Sequence, residues 1–565
     1  MQHSSPERVV ARARTLKKRG DLDAARALLV EEARRLPKNR RLARALDRLD
    51  EPGTKRAAAM QDAVESLSAA CDRGAFADAA QIAGRLLEAL PGDTTVRALL
   101  ATALTGLGRH DEAIKLAQTI LSEHPTMVRG WVALGRALHA DGRYAIAVQA
   151  FSQAVTLSPN DLYALRGEAA ALLAMNRHTE AVVAQRRVAY IAETATAYRD
   201  LGLTLFELGR ADEAREALLE AIQRAPSDGA AHRLLALTTT TAPGSAHLAQ
   251  MEALSHQDLP GPDACELGFA IGKACDDLGA LDAAFEAYGR GHRLRRERLP
   301  YEEDAEVRRF DALHTLLKTD AATPDFAPMA IQPIFVVGLP RSGTTLVETV
   351  LAGHSAVATA GEADALHPAI NTAGAVHGPH FTEGLLSEVR AAYAATLQNR
   401  GIDGGVVVDK TPGDYRFIPF IRHALPEARI VVVRRDPMAV GASLWRTYFA
   451  NDGHRYADDL GDLGRHIARA NRFMDAALAA DPSLISVSYE ALVAEPRGEA
   501  RALLSRCGLT FEAGCLAPAD GTRGIRTASA LAVRQPIDPA RAGDWQRYAA
   551  HLAPLRAALE AAPDG

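Results

Sequence analysis

The sequence predicts a multidomain chain: an all-α repeat solenoid first, then an α/β domain built on a central parallel sheet. Three observations predict it. A 34-residue period runs through the first half. After residue 330, β-branched apolar runs alternate with stretches of helical spacing. The first of those runs, IQPIFVV, opens directly into a glycine loop, GLPRSGTT (338–345). At 565 residues the chain is long enough for several hydrophobic cores.

The period rests on particular residues. Gly74, Gly108, Gly142 and Asn176 stand 34 residues apart, and Gly209 follows after 33. Five residues beyond each comes an alanine: Ala79, Ala113, Ala147, Ala181 and Ala214. Pro91, Pro125 and Pro159 share the spacing, and Pro226 closes a later unit. Glycine at an interhelix turn allows left-handed dihedrals. Alanine lets two helices approach closely, and proline stops the second helix. In DEAIKLAQTILSEHP, the residues Ala113, Ile114, Ala117, Ile120 and Leu121 share one helix face. One unit cannot bury that face, so units must stack. Gly20 with Ala25, closing at Pro37, has the form of an earlier unit out of phase, and Gly279 with Ala284 that of a late one. A 34-residue helix–turn–helix unit resembles the tetratricopeptide repeat, here over roughly residues 60–230. The resemblance implies a concave surface for a peptide or protein, or else a scaffold or homodimerisation arm. No aromatic or charged stripe decides between them.

The expected organisation is a helical region with a divergent repeat (1–59), the repeat solenoid with linking helices (60–300), a linker (301–330) and a second domain (331–565). The Pro- and Ala-rich ATPDFAPM (322–329) marks the boundary. A formal charge of −5 and a pI near 6.4 give no case for a nucleic-acid or membrane partner. The five cysteines are scattered and form no CxxC, which argues against a disulfide framework or zinc site. No apolar signal core opens the sequence, and no run of about 18 apolar residues occurs. These features together predict a soluble cytoplasmic protein.

In the second domain IFVV (334–337), VVVD (406–409), RIVVV (429–433) and LISVSY (484–489) read as strands. Ligands of parallel sheets collect at the strands' carboxyl ends, where GLPRSGTT lies. Its backbone N–H groups and the following helix N-terminus favour an anion. Ser342, Thr344 and Thr345 add hydroxyls around Gly343, and Arg341 adds a bidentate fork. The nucleotide loop of ATP enzymes has Lys and then Ser or Thr where Thr344 and Thr345 stand. Without that lysine, a P-loop kinase or NTPase is poorly supported, and a smaller phosphate bound without metal fits better. In RRDPMAVGAS, Arg435 reads as a strand-end residue and Ser443 as one on the next helix. Asp436 reads as a helix cap.

PRSGTTL (340–346) resembles the 5′-phosphosulfate loop of sulfotransferases, and Arg435 with Ser443 is similar to that family's 3′-phosphate element. The resemblance covers roughly residues 331–550. It implies an α/β P-loop-like sulfotransferase domain. The implied donor is 3′-phosphoadenosine 5′-phosphosulfate, with 3′,5′-adenosine bisphosphate as product and no metal. The pattern is most similar to the tyrosylprotein branch, in which a Gly-Glu glutamate is the acceptor's general base. HSAVATAGEAD places Glu362 there, and VVVDKTPGDY supplies Lys410 for the leaving group beside Arg341. His354 is a rival base, since the small-molecule branch uses histidine. Tyr489 in VSYEALV matches a position near the nucleotide, and Ser529 lies in a segment resembling the closing loop. Where the branch has a basic residue before Trp545, Asp544 stands. Either Arg534 or Arg541 replaces it or the loop sits differently. The implied acceptor is a hydroxyl, on a peptide or protein tyrosine presented by the repeats or on a small molecule. A non-catalytic scaffold with a retired nucleotide fold is the reading that the set Arg341, Glu362, Lys410, Arg435 and Ser443 opposes.

Overall fold

A computed structural model describes residues 6–561 apart from 20, 320–323, 378–379, 451, 519–523 and 526–529. The chain divides into two compact units, Met1–Asp141 and Gly142–Gly565. The first is helical throughout. It opens with a hairpin of Pro6–Lys18 and Leu22–Arg35 and continues through the long helix Arg40–Asp72. Antiparallel pairs follow, such as Thr94–Gly106 against His110–Glu123.

The residues of the 34-residue period occupy equivalent places. Gly74 and Gly108 have φ +75°, Gly142 +80°, Gly209 +73° and Asn176 +58°. Each sits in the left-handed region, open to glycine and tolerated by asparagine. The five alanines that follow have no exposed surface. Ala113, Ile114, Ala117, Ile120 and Leu121 are all buried on the helix His110–Glu123. Gly279 repeats the pattern at φ +72° with Ala284 buried. Gly20 lies outside the described residues, while Ala25 is buried. The five cysteines are buried and unpaired. No helix among the described residues is long and apolar enough to cross a membrane.

The second unit begins with further repeat helices, including His178–Ala192 and Ala195–Glu207, and ends in the α/β domain. Its sheet has five parallel strands: β1 Ile331–Gly338, β2 Val357–Gly361, β3 Gly405–Asp409, β4 Arg429–Arg434 and β5 Ile485–Ser488. Their order is β2-β3-β1-β4-β5. Central β1 registers Ile334 on Val408 of β3 and on Arg429 of β4. Both faces of β1 are covered, as an all-parallel sheet requires. Phe335 and Val337 point to one core with Val407, Ile430 and Val432. Ile334 and Val336 point to another with Val408, Val431, Val433, Val347 and Leu503.

Four strands match the apolar runs of the sequence; β2 was not among them. Its sequence, VATAG, is short and weakly apolar, and its ladder slips between Thr359 and Gly361. Residues 301–330, expected as a linker, contain the helix Glu303–Lys318. Its Phe310 and Leu313 are buried in the core that also takes Phe335 and Val337. Their three-residue spacing places both on one helix face.

Candidate active site

Every strand of the sheet ends beside a residue singled out from the sequence. The glycine loop follows β1, Glu362 follows β2, Lys410 follows β3, Arg435 follows β4 and Tyr489 follows β5. Parallel strands present their carboxyl ends together, so groups far apart in sequence converge. A cavity of about 2050 Å³ opens there. Arg341, Gly343, Thr344 and Thr345 line it from the loop. Glu362, Arg435, Ser443 and Tyr489 line it from the other elements.

The loop is pressed against its neighbours. A β-carbon on Gly338 would stand 2.6 Å from the Val433 carbonyl oxygen, and one on Gly343 2.4 Å from the Tyr489 ring. Gly343 has φ +103° and Arg341 +69°. A non-glycine residue held in the left-handed region is a strain that concentrates at functional sites. Thr344 and Thr345 form the first turn of the helix Thr344–Ala352, whose N-terminus faces the loop. The Ser342 hydroxyl is buried under the loop, outside the cavity wall, and has no hydrogen-bond partner.

Three arginines gather beyond the loop. Arg341 Nε donates to Ser443 Oγ at 2.9 Å. Arg435 donates to the carbonyl of Arg341 at 3.0 Å and to that of Arg541 at 3.3 Å. Its guanidinium lies 4.3 Å above the centre of the Tyr489 ring, and its Nε is buried without a partner. Ser443 and then Arg446 are delivered by the helix Pro437–Trp445, which Asp436 caps by accepting the Ala439 N–H at 2.8 Å. Burial, Arg435 and Arg446 push Arg341 down to about 10. Burial also lowers Arg435. This is a concentration of positive charge that an anion would relieve.

Arg446 was not among the residues read from the sequence. Its signal was position: three residues after Ser443 on one helix, the two side chains share a face. It also resolves the oddity at 544. Asp544 pairs with Arg446 at 3.0 Å and with Arg547 at 3.2 Å. Burial raises the Asp544 carboxyl, but the two arginines outweigh it and hold it below the ordinary range. Arg541 lines the cavity. Arg534 turns away and donates to the carbonyls of Ala530 (2.7 Å) and Glu207 (3.0 Å). Ser529 lies outside the described residues.

Glu362 is brought to the cavity by a β-bulge. Thr359 pairs with Val408 and Gly361 with Asp409, leaving Ala360 extra in β2. Gly361 then takes φ +65°. A bulge of this kind re-aims the next side chain. The Glu362 side chain is 37 % exposed and bonded to the Lys410 ammonium. The resemblance places Lys410 at the leaving group, but in the structure it lies behind Glu362. It is 3 % exposed, 4.0 Å from Glu348 and absent from the cavity wall. Its backbone N–H continues the ladder to the Gly361 carbonyl at 2.9 Å. His354 is buried outside the cavity wall. Its Nδ1 accepts the Ala356 N–H at 3.1 Å, and its Nε2 lies 3.5 Å from Glu512.

Asp409, just before Lys410, is fully buried. One carboxylate oxygen accepts the Thr411 hydroxyl at 3.0 Å. Burial pushes it up to about 6, against the opposing pull of Thr411 and Arg400. A carboxyl raised on folding favours the fold below its unfolded value and loses that stability as pH rises through the folded one. Asp409→Asn is therefore expected to flatten the stability decline between about pH 4 and 6, by up to about 3 kcal/mol. Urea melts across that range check it.

Comparisons with known proteins match the two halves of the chain to different families. Residues 333–513 match the model of the sulfotransferase family. Residues 67–128, 98–161, 132–196 and 195–228 match tetratricopeptide-repeat models. The chain joins a tetratricopeptide-repeat array to a domain of the sulfotransferase family. An uncharacterised protein of Aquifex aeolicus is 27 % identical over 54 % of this chain and 42 % of its own length. A Caenorhabditis briggsae protein, provisionally named a protein-tyrosine sulfotransferase, is 25 % identical over 32 % of this chain and 66 % of its own. The chain thus spans less than two thirds of either relative. The sulfotransferase domain of a Synechococcus olefin synthase is 22 % identical, with a TM-score of 0.27, over 40 % of this chain and 91 % of that one.

Proposed function

We propose that the chain transfers a sulfuryl group from 3′-phosphoadenosine 5′-phosphosulfate to a hydroxyl, with a peptide or protein tyrosine as the acceptor. The observation that supports this most is the Arg341–Arg435 pair around Ser443, set against a loop with no ATP lysine. The residues present fit the donor. Two orphaned buried polar atoms, Ser342 Oγ and Arg435 Nε, sit at the loop and in the arginine cluster. The loop's glycines let its backbone pack against Val433 and Tyr489, and the helix N-terminus at Thr344 favours an anion there.

In this reading the loop amides with Thr344 and Thr345 hold the 5′ end, and Arg435 with Ser443 holds the 3′-phosphate beside Tyr489. When bound, the donor supplies an activated sulfuryl group at its 5′ end. Glu362 accepts the proton of the acceptor hydroxyl. Lys410 orients Glu362 from behind, and Arg341 stabilises negative charge near the loop. The scheme uses no metal.

Calorimetry of 3′,5′-adenosine bisphosphate against ATP, without magnesium, tests the donor site. The bisphosphate is expected to bind the more tightly. Arg435→Ala is expected to weaken it about 10-fold or more, the loss of a charge-assisted contact worth about 1.5–3 kcal/mol. Tighter ATP binding, or indifference to both nucleotides, would overturn the donor assignment.

A further inference from the structure

One turn of the repeat array breaks its own rule. The turns at Gly74, Gly108, Gly142 and Gly209 use glycine, and the turn at 176 uses asparagine. All five are left-handed, so the backbone alone asks only for glycine or a tolerated substitute. What asparagine adds is an amide. Its Nδ2 donates to the carbonyl of Ala360 at 2.8 Å. Ala360 is the bulge residue of β2, and β2 is an edge strand of the sheet. A bulge residue is left out of the ladder, and here the repeat turn supplies the donor.

The contact is close on both sides. A β-carbon on Gly361 would stand 2.9 Å from that same Nδ2. The segment around Glu362 is then fixed at three places. Asn176 holds the carbonyl of Ala360. The Lys410 N–H holds that of Gly361 at 2.9 Å. Arg400 holds that of Ala363 at 2.7 Å.

We propose that Asn176 is a positioning residue for Glu362, so that the repeat array sets the geometry of the candidate base. The inference rests on the reading of Glu362 as that base. It assigns the fourth turn of the period a role in turnover, separate from any acceptor the repeats bind. Asn176 acts on the direction of the Glu362 side chain, through the bulge, and on nothing at the arginine cluster.

Asn176→Gly keeps the left-handed turn, and Asn176→Asp keeps the shape but removes the donor. Full-length variants are assayed with labelled donor on a phenol or tyrosine peptide that the wild type sulfates. Both are expected to lose at least about 10-fold in kcat, with donor KM and bisphosphate affinity within about twofold of wild type. Deuterium exchange is expected to quicken over 357–364 and to stay unchanged over 338–346. Unchanged kcat, unchanged exchange, or equal loss of kcat and donor affinity overturns the proposal. Glu362→Gln runs beside them. If it loses rate and the Asn176 variants do not, this inference alone falls. If it keeps its rate, the base reading falls, and the exchange measurement still decides whether Asn176 holds the bulge.

Discussion

The Glu362→Gln enzyme is expected to lose 10²–10⁴-fold in kcat, the usual contribution of a positioned general base. Its affinity for 3′,5′-adenosine bisphosphate is expected to stay within about twofold, because the change lies apart from the arginine cluster. Glutamine keeps the shape and length of the side chain and still accepts a hydrogen bond from Lys410. It cannot take a proton. The rate loss therefore isolates proton transfer from positioning. A rate within a few-fold of wild type would remove Glu362 as the base. His354 would not inherit the role easily, since its ring faces Glu512 and lies outside the cavity wall.

The repeat region was legible in the sequence because its signals are local. A residue at an interhelix turn and an alanine five places on each answer to one steric demand, and the demand recurs with the period. The strands β1, β3 and β4 were legible for a similar reason: largely buried, they spell continuous apolar runs, while in β5 the alternation of Ile485 and Val487 with exposed serines carried the signal. β2 was not, because an edge strand of five residues ending in a bulge has no such run. The glycine loop and the Arg435–Ser443 pair could be seen because each is contiguous or nearly so. What escaped was pairing across long separations. Arg446 meets Asp276, 170 residues away, and Asn176 meets Ala360, 184 residues away. No periodicity or spacing announces such contacts. The sequence showed Asp544 as a flaw and Lys410 as a group for the leaving oxygen. The partners of each, Arg446 for one and Glu362 for the other, change what the residue can do.

Arg341→Met is expected to separate binding from stability. The loss of one preorganised donor from a transition-state cradle costs about 10²–10³-fold in rate, or about 2.7–4 kcal/mol. A similar loss in kcat/KM for the donor is expected here. Lysine should not rescue it, because a point charge cannot reproduce a planar fork. The unliganded protein should behave differently. Burial together with Arg435 and Arg446 holds the Arg341 pKa down to about 10. Its folded value lies below its unfolded one, so keeping that group charged at neutral pH works against the fold. Methionine fills a similar volume without charge. It gives up the bond to Ser443, whose hydroxyl lines the cavity and can turn to water. Unliganded Arg341→Met should therefore be as stable as wild type or more so. Adding the bisphosphate should stabilise wild type by about 2.7 kcal/mol at one hundred times its Kd, and the variant far less. A variant that is less stable without ligand yet binds the bisphosphate normally would make Arg341 a structural residue of the loop. The opposite pattern, stability kept and binding lost, is what a residue strained at φ +69° for the sake of an anion should give.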